Sequence, residues 1–292
     1  MKKQIVAFVL VLMMMASLFA ISNAEETSVV TDVTLMDAGL TMEDIQEAGR
    51  YYKSASESGT IDGFETEYRF ALAAASLGSG DAMLWLGELF QGDKIEAAHE
   101  ADDPVAIAME WWEKAADYGQ PRGLANIGLL YRHESVPGGG SAYGNVEYDE
   151  AKAFEYFVKS TENGDSKAPR YVGLAYQDGI GVEADEAKAF EYFELAAERN
   201  DSTGKYLYAM YLLEGKSCDQ DVEKAIGLLD EQLVNKEHEI TKCALALGNI
   251  YAEGKYVEAD AEKAAEYYEI VKENAKEDSE EYAQAVAALE KL

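Results

Sequence analysis

Apolar residues along this chain recur at helical spacing, in two alternating patterns. In the first, an alanine is followed three and four positions later by two large apolar residues: Ala108 with Trp111 and Trp112, Ala153 with Tyr156 and Phe157, Ala189 with Tyr192 and Phe193, Ala225 with Leu228 and Leu229, and Ala264 with Tyr267 and Tyr268. Ala115, Ser160 and Ala196 extend three of these faces to the seventh position. Residues at i, i+3, i+4 and i+7 share one face of an amphipathic helix, so each stretch predicts a helix, here termed helix B. A weaker copy begins at Glu67. Asp149, Asp185, Asp221 and Asp260 stand four residues before their alanines, and Asp103-Pro104 precedes Ala108. Aspartate there can accept hydrogen bonds from first-turn amides, and proline suits the first helical position.

The second pattern pairs a small residue with a large one three positions on: Gly49/Tyr52, Gly87/Phe90, Gly128/Tyr131, Gly173/Tyr176, Ala209/Leu212 and Gly248/Tyr251. It predicts helix A, closed by Gly179, Gly215 and Gly254 in the later copies. Glycine inside a helix costs about 1 kcal/mol relative to alanine, so its return at one register implies close approach of another helix. From helix B to the next helix A the anchors lie 20, 20, 20, 20 and 23 residues apart, whereas from A to B the interval ranges from 16 to 25. The repeating unit is therefore a packed helix pair with its insertions concentrated in the A-to-B loops. DEAKAFEYF, written once as Asp149–Phe157 and again as Asp185–Phe193, is the start of helix B in consecutive units.

The stretch YVGLAYQDGIGVEADEAKAFEYFELAAERND, Tyr171 to Asp201, closely resembles the Sel1-like repeat of about 36 residues, through Gly173, Tyr176, Gly179, Gly181, Asp185, Lys188, Ala189, Tyr192, Ala196 and Ala197. The resemblance extends over about Thr41 to Asn274 and is to the secreted bacterial type. It implies an all-α fold, a right-handed α/α superhelical solenoid related to tetratricopeptide repeats, occupying residues 41–292. About six helix pairs are expected, the first degenerate, followed by a lone helix over Glu280 to Leu292. Family members commonly act as adaptors or scaffolds, so the leading expectation is a non-catalytic module that binds a peptide or partner protein in the concave groove. A cell-wall-active enzyme, or a glycan- or peptidoglycan-binding protein, is the alternative, because weak lactam-hydrolase activity occurs in cysteine-rich relatives.

The N-terminus changes the compartment. Lys2 and Lys3 precede an apolar run from Ile5 to Ile21 with Ser22 and Ala24 behind it, the layout of a secretory signal peptide cut after Ala24. Residues 25–40 then form a linker, the product is secreted or periplasmic, and no membrane insertion is expected after cleavage. The run is nearly long enough to span a bilayer, so retention as an anchor remains the competing reading. With 56 acidic against 25 basic residues the formal charge is −31, which repels nucleic acid and favours a cationic partner over an anionic one.

Little else suggests chemistry. His99, His133 and His238 fall in or beside connections without a second histidine at metal-ligand spacing, and neither a metal motif nor a framed nucleophile occurs. GKS at Gly215–Ser217 lacks the strand and earlier glycine of a phosphate loop and reads as a helix stop. No cofactor is implied. VPGGGSAYG, Val136 to Gly144, is the longest A-to-B insertion and reads as a flap. Cys218 and Cys243 invite a disulfide if the chain is exported, but they fall at opposite poles of the frame, separated by about 20 Å of helix against about 4.4–6.8 Å between bridged Cα atoms, so free thiols are the leading expectation and a bond the alternative. The variable helix A positions, two before and one after the small anchor, are the candidate groove: Trp85/Glu88, Asn126/Leu129, Tyr171/Leu174, Leu207/Met210 and Ala246/Asn249. Trp85, Glu88, Asn126, Tyr171 and Asn249 are the expected partner-binding residues.

Overall fold

The computed structural model describes residues 64–76, 78–136, 142–234 and 239–292. The signal segment 1–24, the linker 25–40, the Gly49/Tyr52 pair and His238 lie outside them. The described residues form thirteen helices and no strands, and none of these helices is long and apolar enough to cross a membrane. They fall in two compact units, one ending at Asp149 and the other starting at Glu150.

The first unit holds α1 (Phe64–Ser76), α2 (Gly80–Gln91), the short α3 (Glu96–His99), α4 (Pro104–Asp117) and α5 (Arg122–Tyr131). In the repeat frame α2 and α5 are A helices and α4 is a B helix. The second unit holds α6 (Glu150–Glu162), α7 (Ala168–Asp178), α8 (Glu186–Glu198), α9 (Ser202–Glu214), α10 (Val222–Val234), α11 (Ile240–Glu253), α12 (Ala261–Asn274) and α13 (Glu280–Leu289). Here B and A alternate from α6 onward, and each helix packs mainly on its neighbours in sequence. Among the described residues α2 packs on α4, α7 on α8, α9 on α10 and α11 on α12 as A and B helices, and α3 is an element the periodicity does not reveal.

The anchors do what their sizes imply. A Cβ on Gly87 would lie 2.2 Å from Trp112 Nε1, one on Gly173 2.6 Å from Phe193 Cε1, and one on Gly248 2.5 Å from Tyr268 Cε1. Each of these three helix A glycines therefore presses onto the second large residue of the following helix B. Where the anchor is Ala209 its counterpart is Leu229, both fully buried in one core. A methyl is added on one helix and a ring exchanged for a smaller side chain on the other, so the volume at the crossing is kept.

Helix ends follow the same local logic. Asp103, Asp185, Asp221 and Asp260 accept from the amides of Ala106, Lys188, Lys224 and Lys263 at 3.0–3.1 Å. Gly179, Gly215 and Gly254 close α7, α9 and α11 at φ of 69°, 68° and 63°, so GKS does end a helix. A further bond joins the two helices of a repeat. The backbone N–H of the helix B aspartate donates to the carbonyl of the large residue in helix A: Asp149 to Tyr131, Asp185 to Tyr176, Asp221 to Leu212 and Asp260 to Tyr251, at 2.8–3.0 Å.

Gln232 departs from the packing rule. It stands at the register where Ala196 meets Gly204 across α8 and α9, is fully buried, and has no hydrogen-bond partner among the described residues for either side-chain Nε2 or Oε1. An unsatisfied buried amide costs about 1–3 kcal/mol. Gln232→Met, of similar length without the amide, is expected to stabilise the protein by about that amount. A urea denaturation midpoint equal to or below that of the parent protein would contradict this account of Gln232.

Candidate functional site

In the second unit α9, α11 and the last helix, α13, border a groove of about 440 Å³. Tyr206, Met210 and Leu213 of α9 line it at i, i+4 and i+7, so one stripe of that helix forms a wall. Leu245, Ala246, Asn249 and Ile250 of α11 form the floor, with Lys242 and Glu253 at its two ends. Glu280, Glu281 and Gln284 come from the first turns of α13, and Tyr256 from the loop after α11. Residues with carboxylates thus rim an apolar and aromatic interior.

Most polar groups around it are already held. Lys242 Nζ lies 2.9 Å from Glu239 Oε2, Glu280 Oε1 accepts from Gln284 Nε2 at 2.9 Å, and the Tyr256 hydroxyl accepts from Lys255 Nζ at 2.7 Å. Asn249 Oδ1 accepts from the Tyr268 hydroxyl at 2.8 Å, which fixes the amide and leaves its N–H groups at the groove. Burial pushes the Tyr206 phenol above its ordinary range, assisted by Cys243, Glu239 and Glu214, so it stays a neutral hydroxyl. Glu253 and Glu281 make no salt bridge among the described residues.

A polar chain leads to this groove across α7, α9 and α11. Arg170 Nη1 donates to Asp201 Oδ1 and Thr203 Oγ1 at 3.1 Å each, and the Thr203 hydroxyl donates to Glu239 Oε1 at 2.9 Å. Arg170 Nη2 also donates to the Tyr171 hydroxyl at 2.8 Å. For Glu239, desolvation acts to raise the carboxyl, but hydrogen bonds from Lys242 and Thr203 outweigh it and hold the group below its ordinary range.

The five expected binding residues do not form one site. Asn249 is exposed and lines the groove, with Met210 and Ala246 from the same register analysis. Tyr171 is stacked on Phe157, with ring centroids 4.7 Å apart, and carries the Arg170 guanidinium at 4.7 Å on its ring, so its ring serves the helix packing. Asn126 corrects the expectation most clearly: it is only 1% exposed, and no side chain or backbone group among the described residues satisfies its amide. Trp85 and Glu88 lie half-buried on α2 in the first unit and are not among the residues lining this groove.

Sequence periodicity missed Tyr206, Tyr256 and the carboxylates of Glu253, Glu280 and Glu281. The groove stripe of α9 and α11 runs through positions three before and one after the anchor, with Leu213 a further turn on, and so is rotated slightly from the pair chosen by variability. Tyr206 and Leu245 share the first of those positions, the signal that was available.

The other candidates are structural. His133 Nε2 hydrogen-bonds the Val146 carbonyl at 2.8 Å and stacks on Tyr143 at 4.7 Å. Gln91 Nε2 donates to the Ala142 carbonyl and Asn145 Nδ2 to Asp103 Oδ2. The part of the expected flap from Ala142 onward is therefore tied down; residues 137–141 lie outside the described ones. His99 is exposed beside Asp93, and Cys218 and Cys243 are not joined in a disulfide.

Comparisons with known proteins agree with this architecture. A family model described as Sel1 repeat matches residues 36–60, 80–119, 138–165, 167–201, 202–230 and 241–270. The last three segments coincide with the pairs α7–α8, α9–α10 and α11–α12. Among solved structures, the chain is similar in fold to a Sel1 repeat protein from Oxalobacter formigenes. The identity is 23%, the TM-score 0.64, and 81% of this chain and 89% of that one are covered. A protective antigen present in uropathogenic Escherichia coli strains, displaying an SLR fold, matches at 19% identity and TM-score 0.45 over 90% of this chain and 63% of that one. A Sel1 repeat protein from Klebsiella pneumoniae subsp. pneumoniae matches at 24% identity and TM-score 0.41, over 57% of this chain and 74% of that one. A comparison with curated proteins found no match.

Proposed function

Because the chain belongs to the Sel1 repeat family, whose members are generally non-catalytic protein-interaction modules, we propose that it is an exported scaffold protein that binds an extended segment of a partner in the groove of α9, α11 and α13. The groove carries the reading. It lies within the roughly 300–1,000 Å³ of typical ligand sites, and its apolar floor is bordered by fixed polar groups. An extended segment lying on α11 would meet side chains from Lys242 to Glu253, nearly the whole helix, while its backbone carbonyls could accept from the Asn249 amide. Export rests on the N-terminal segment, and a cationic partner on the formal charge of −31.

The test is capture of partners from a membrane-free extract of the source cells and their medium, by the mature protein and by Ala246→Arg, which fills the groove floor. The proposal expects one or more proteins to be retained by the parent and lost from the variant, with helical circular dichroism unchanged. Equal retention by both would remove the groove as the binding site.

A further inference from the structure

We infer that this groove selects a lysine or arginine side chain within the bound segment, placed with its methylene stem along Met210 and the Tyr206 ring and its cationic head between Glu253 and Glu281. The inference rests on the groove-binding proposal and adds the chemistry of the occupant. Four observations converge on it.

The rim has an unbalanced charge. Three glutamates face one lysine, and that lysine is already engaged by Glu239 at 2.9 Å. Glu280 is partly occupied by Gln284, whereas Glu253 and Glu281 make no salt bridge among the described residues. They belong to different helices, the last turn of α11 and the first turn of α13, so a cation between them would join the two walls. A carboxylate at the C-terminal end of α11 stands against the negative end of that helix dipole, an arrangement that a bound cation relieves.

The interior suits the rest of such a side chain. Lysine and arginine bury an aliphatic stem while presenting a charged head to polar surroundings, and tyrosine faces attract the head itself. The same chain uses this contact repeatedly. Lys263 Nζ lies 4.0 Å from the Tyr251 ring centroid, and Lys188, Lys216 and Lys224 sit 4.9 Å from Tyr176, Tyr211 and Tyr208. Tyr206 and Tyr256 line the groove; Tyr256 already carries Lys255 Nζ at 4.5 Å from its ring centroid, whereas Tyr206 has no lysine or arginine on its ring among the described contacts. A glutamate or aspartate in the segment would instead meet the rim carboxylates, so the groove discriminates by repulsion as well as attraction.

The experiment is selection of a randomised dodecapeptide phage library on the immobilised full-length mature protein, followed by fluorescence polarisation of enriched peptides against the parent, Ala246→Arg and the double variant E253Q/E281Q. Enriched peptides are expected to share a lysine or arginine at one position and to lose binding to Ala246→Arg. Their affinity should fall about tenfold on E253Q/E281Q, as for removal of a charge pair. Citrulline in place of the shared arginine, or norleucine in place of the shared lysine, should have the same effect.

Peptides that depend on the groove but carry no shared basic residue would overturn this inference and leave the groove-binding proposal standing. Peptides that bind Ala246→Arg as well as the parent would overturn both, as would failure to enrich any sequence. Basic peptides whose affinity is unchanged on E253Q/E281Q but collapses with added salt would assign the preference to the general acidity of the surface, against this site.

Discussion

Phe193→Ala is expected to lower the unfolding free energy by about 3–5 kcal/mol, the range for emptying a fully buried aromatic site. Phe193 is 0% exposed and its ring edge fills the space above Gly173. Gly173→Ala should by itself cost about 1–3 kcal/mol, because the new methyl would lie 2.6 Å from Phe193 Cε1. Helix propensity argues the other way, by about 1 kcal/mol in favour of alanine, so the sign of the effect decides whether packing or propensity governs this position. With Phe193 replaced by alanine the same methyl has room, and Gly173→Ala should become neutral or stabilising. Urea denaturation of the four proteins closes the cycle. A coupling below about 0.5 kcal/mol would mean that α7 and α8 part to admit the methyl, and that the glycine is not required by the crossing.

Arg170→Ala is the second large effect, a loss of about 3 kcal/mol, because it leaves Asp201 buried without its cation. The Asp201 side chain is 2% exposed and that of Arg170 20%, which places the loss at the lower end for buried pairs. Its pH dependence identifies the group responsible. Burial pushes the Asp201 carboxyl above its ordinary range, against the opposing pull of Arg170 and the Gly204 amide. The native state then holds a proton on Asp201 more readily than the unfolded chain does, so stability from this group falls as pH rises through the ordinary carboxylate value toward the native one. Without Arg170 the gap widens, and the deficit of Arg170→Ala should be largest near about pH 7 and shrink near about pH 4.5. Glu239 has the opposite sign: held below its ordinary range, it contributes stability above that range and loses it as pH falls through the native value. A deficit that is the same at both pH values would exclude Asp201 as its source.

The helices were legible because their signals are local. Asp185 and Asp260 cap the helices they precede, Gly179 and Gly254 end theirs, and Gly173 faces the ring its register points to, all set by neighbours a few residues away in sequence or by a fixed period. The groove was only partly legible, through Met210, Ala246 and Asn249. Which stripe of a helix faces open space depends on how it is rotated against the helices on either side, and a shift of one position exchanges Leu207 for Tyr206. Tyr171 and Asn126 show the same limit at single residues. A tyrosine offered to a partner and one stacked on Phe157 look alike in sequence, and an amide that is buried without a partner obeys no rule that composition can express. Glu280 and Glu281 were out of reach for a different reason: α13 enters the groove through its own packing on α12 and α11, outside the repeat period.

The bond from the helix B aspartate to the helix A carbonyl bears on how such a chain can change over time. It closes the connection between Tyr176 and Asp185, nine positions apart, and also the one between Tyr131 and Asp149, eighteen apart, with the same donor and acceptor at 2.8 and 2.9 Å. Doubling a loop costs only about 0.6 kcal/mol of closure entropy, and the clamp ties the two ends of the connection together whatever its length. New sequence can therefore be gained or lost at these connections without renegotiating the core, which makes them the natural place for related chains to diversify while the stack beneath stays constant.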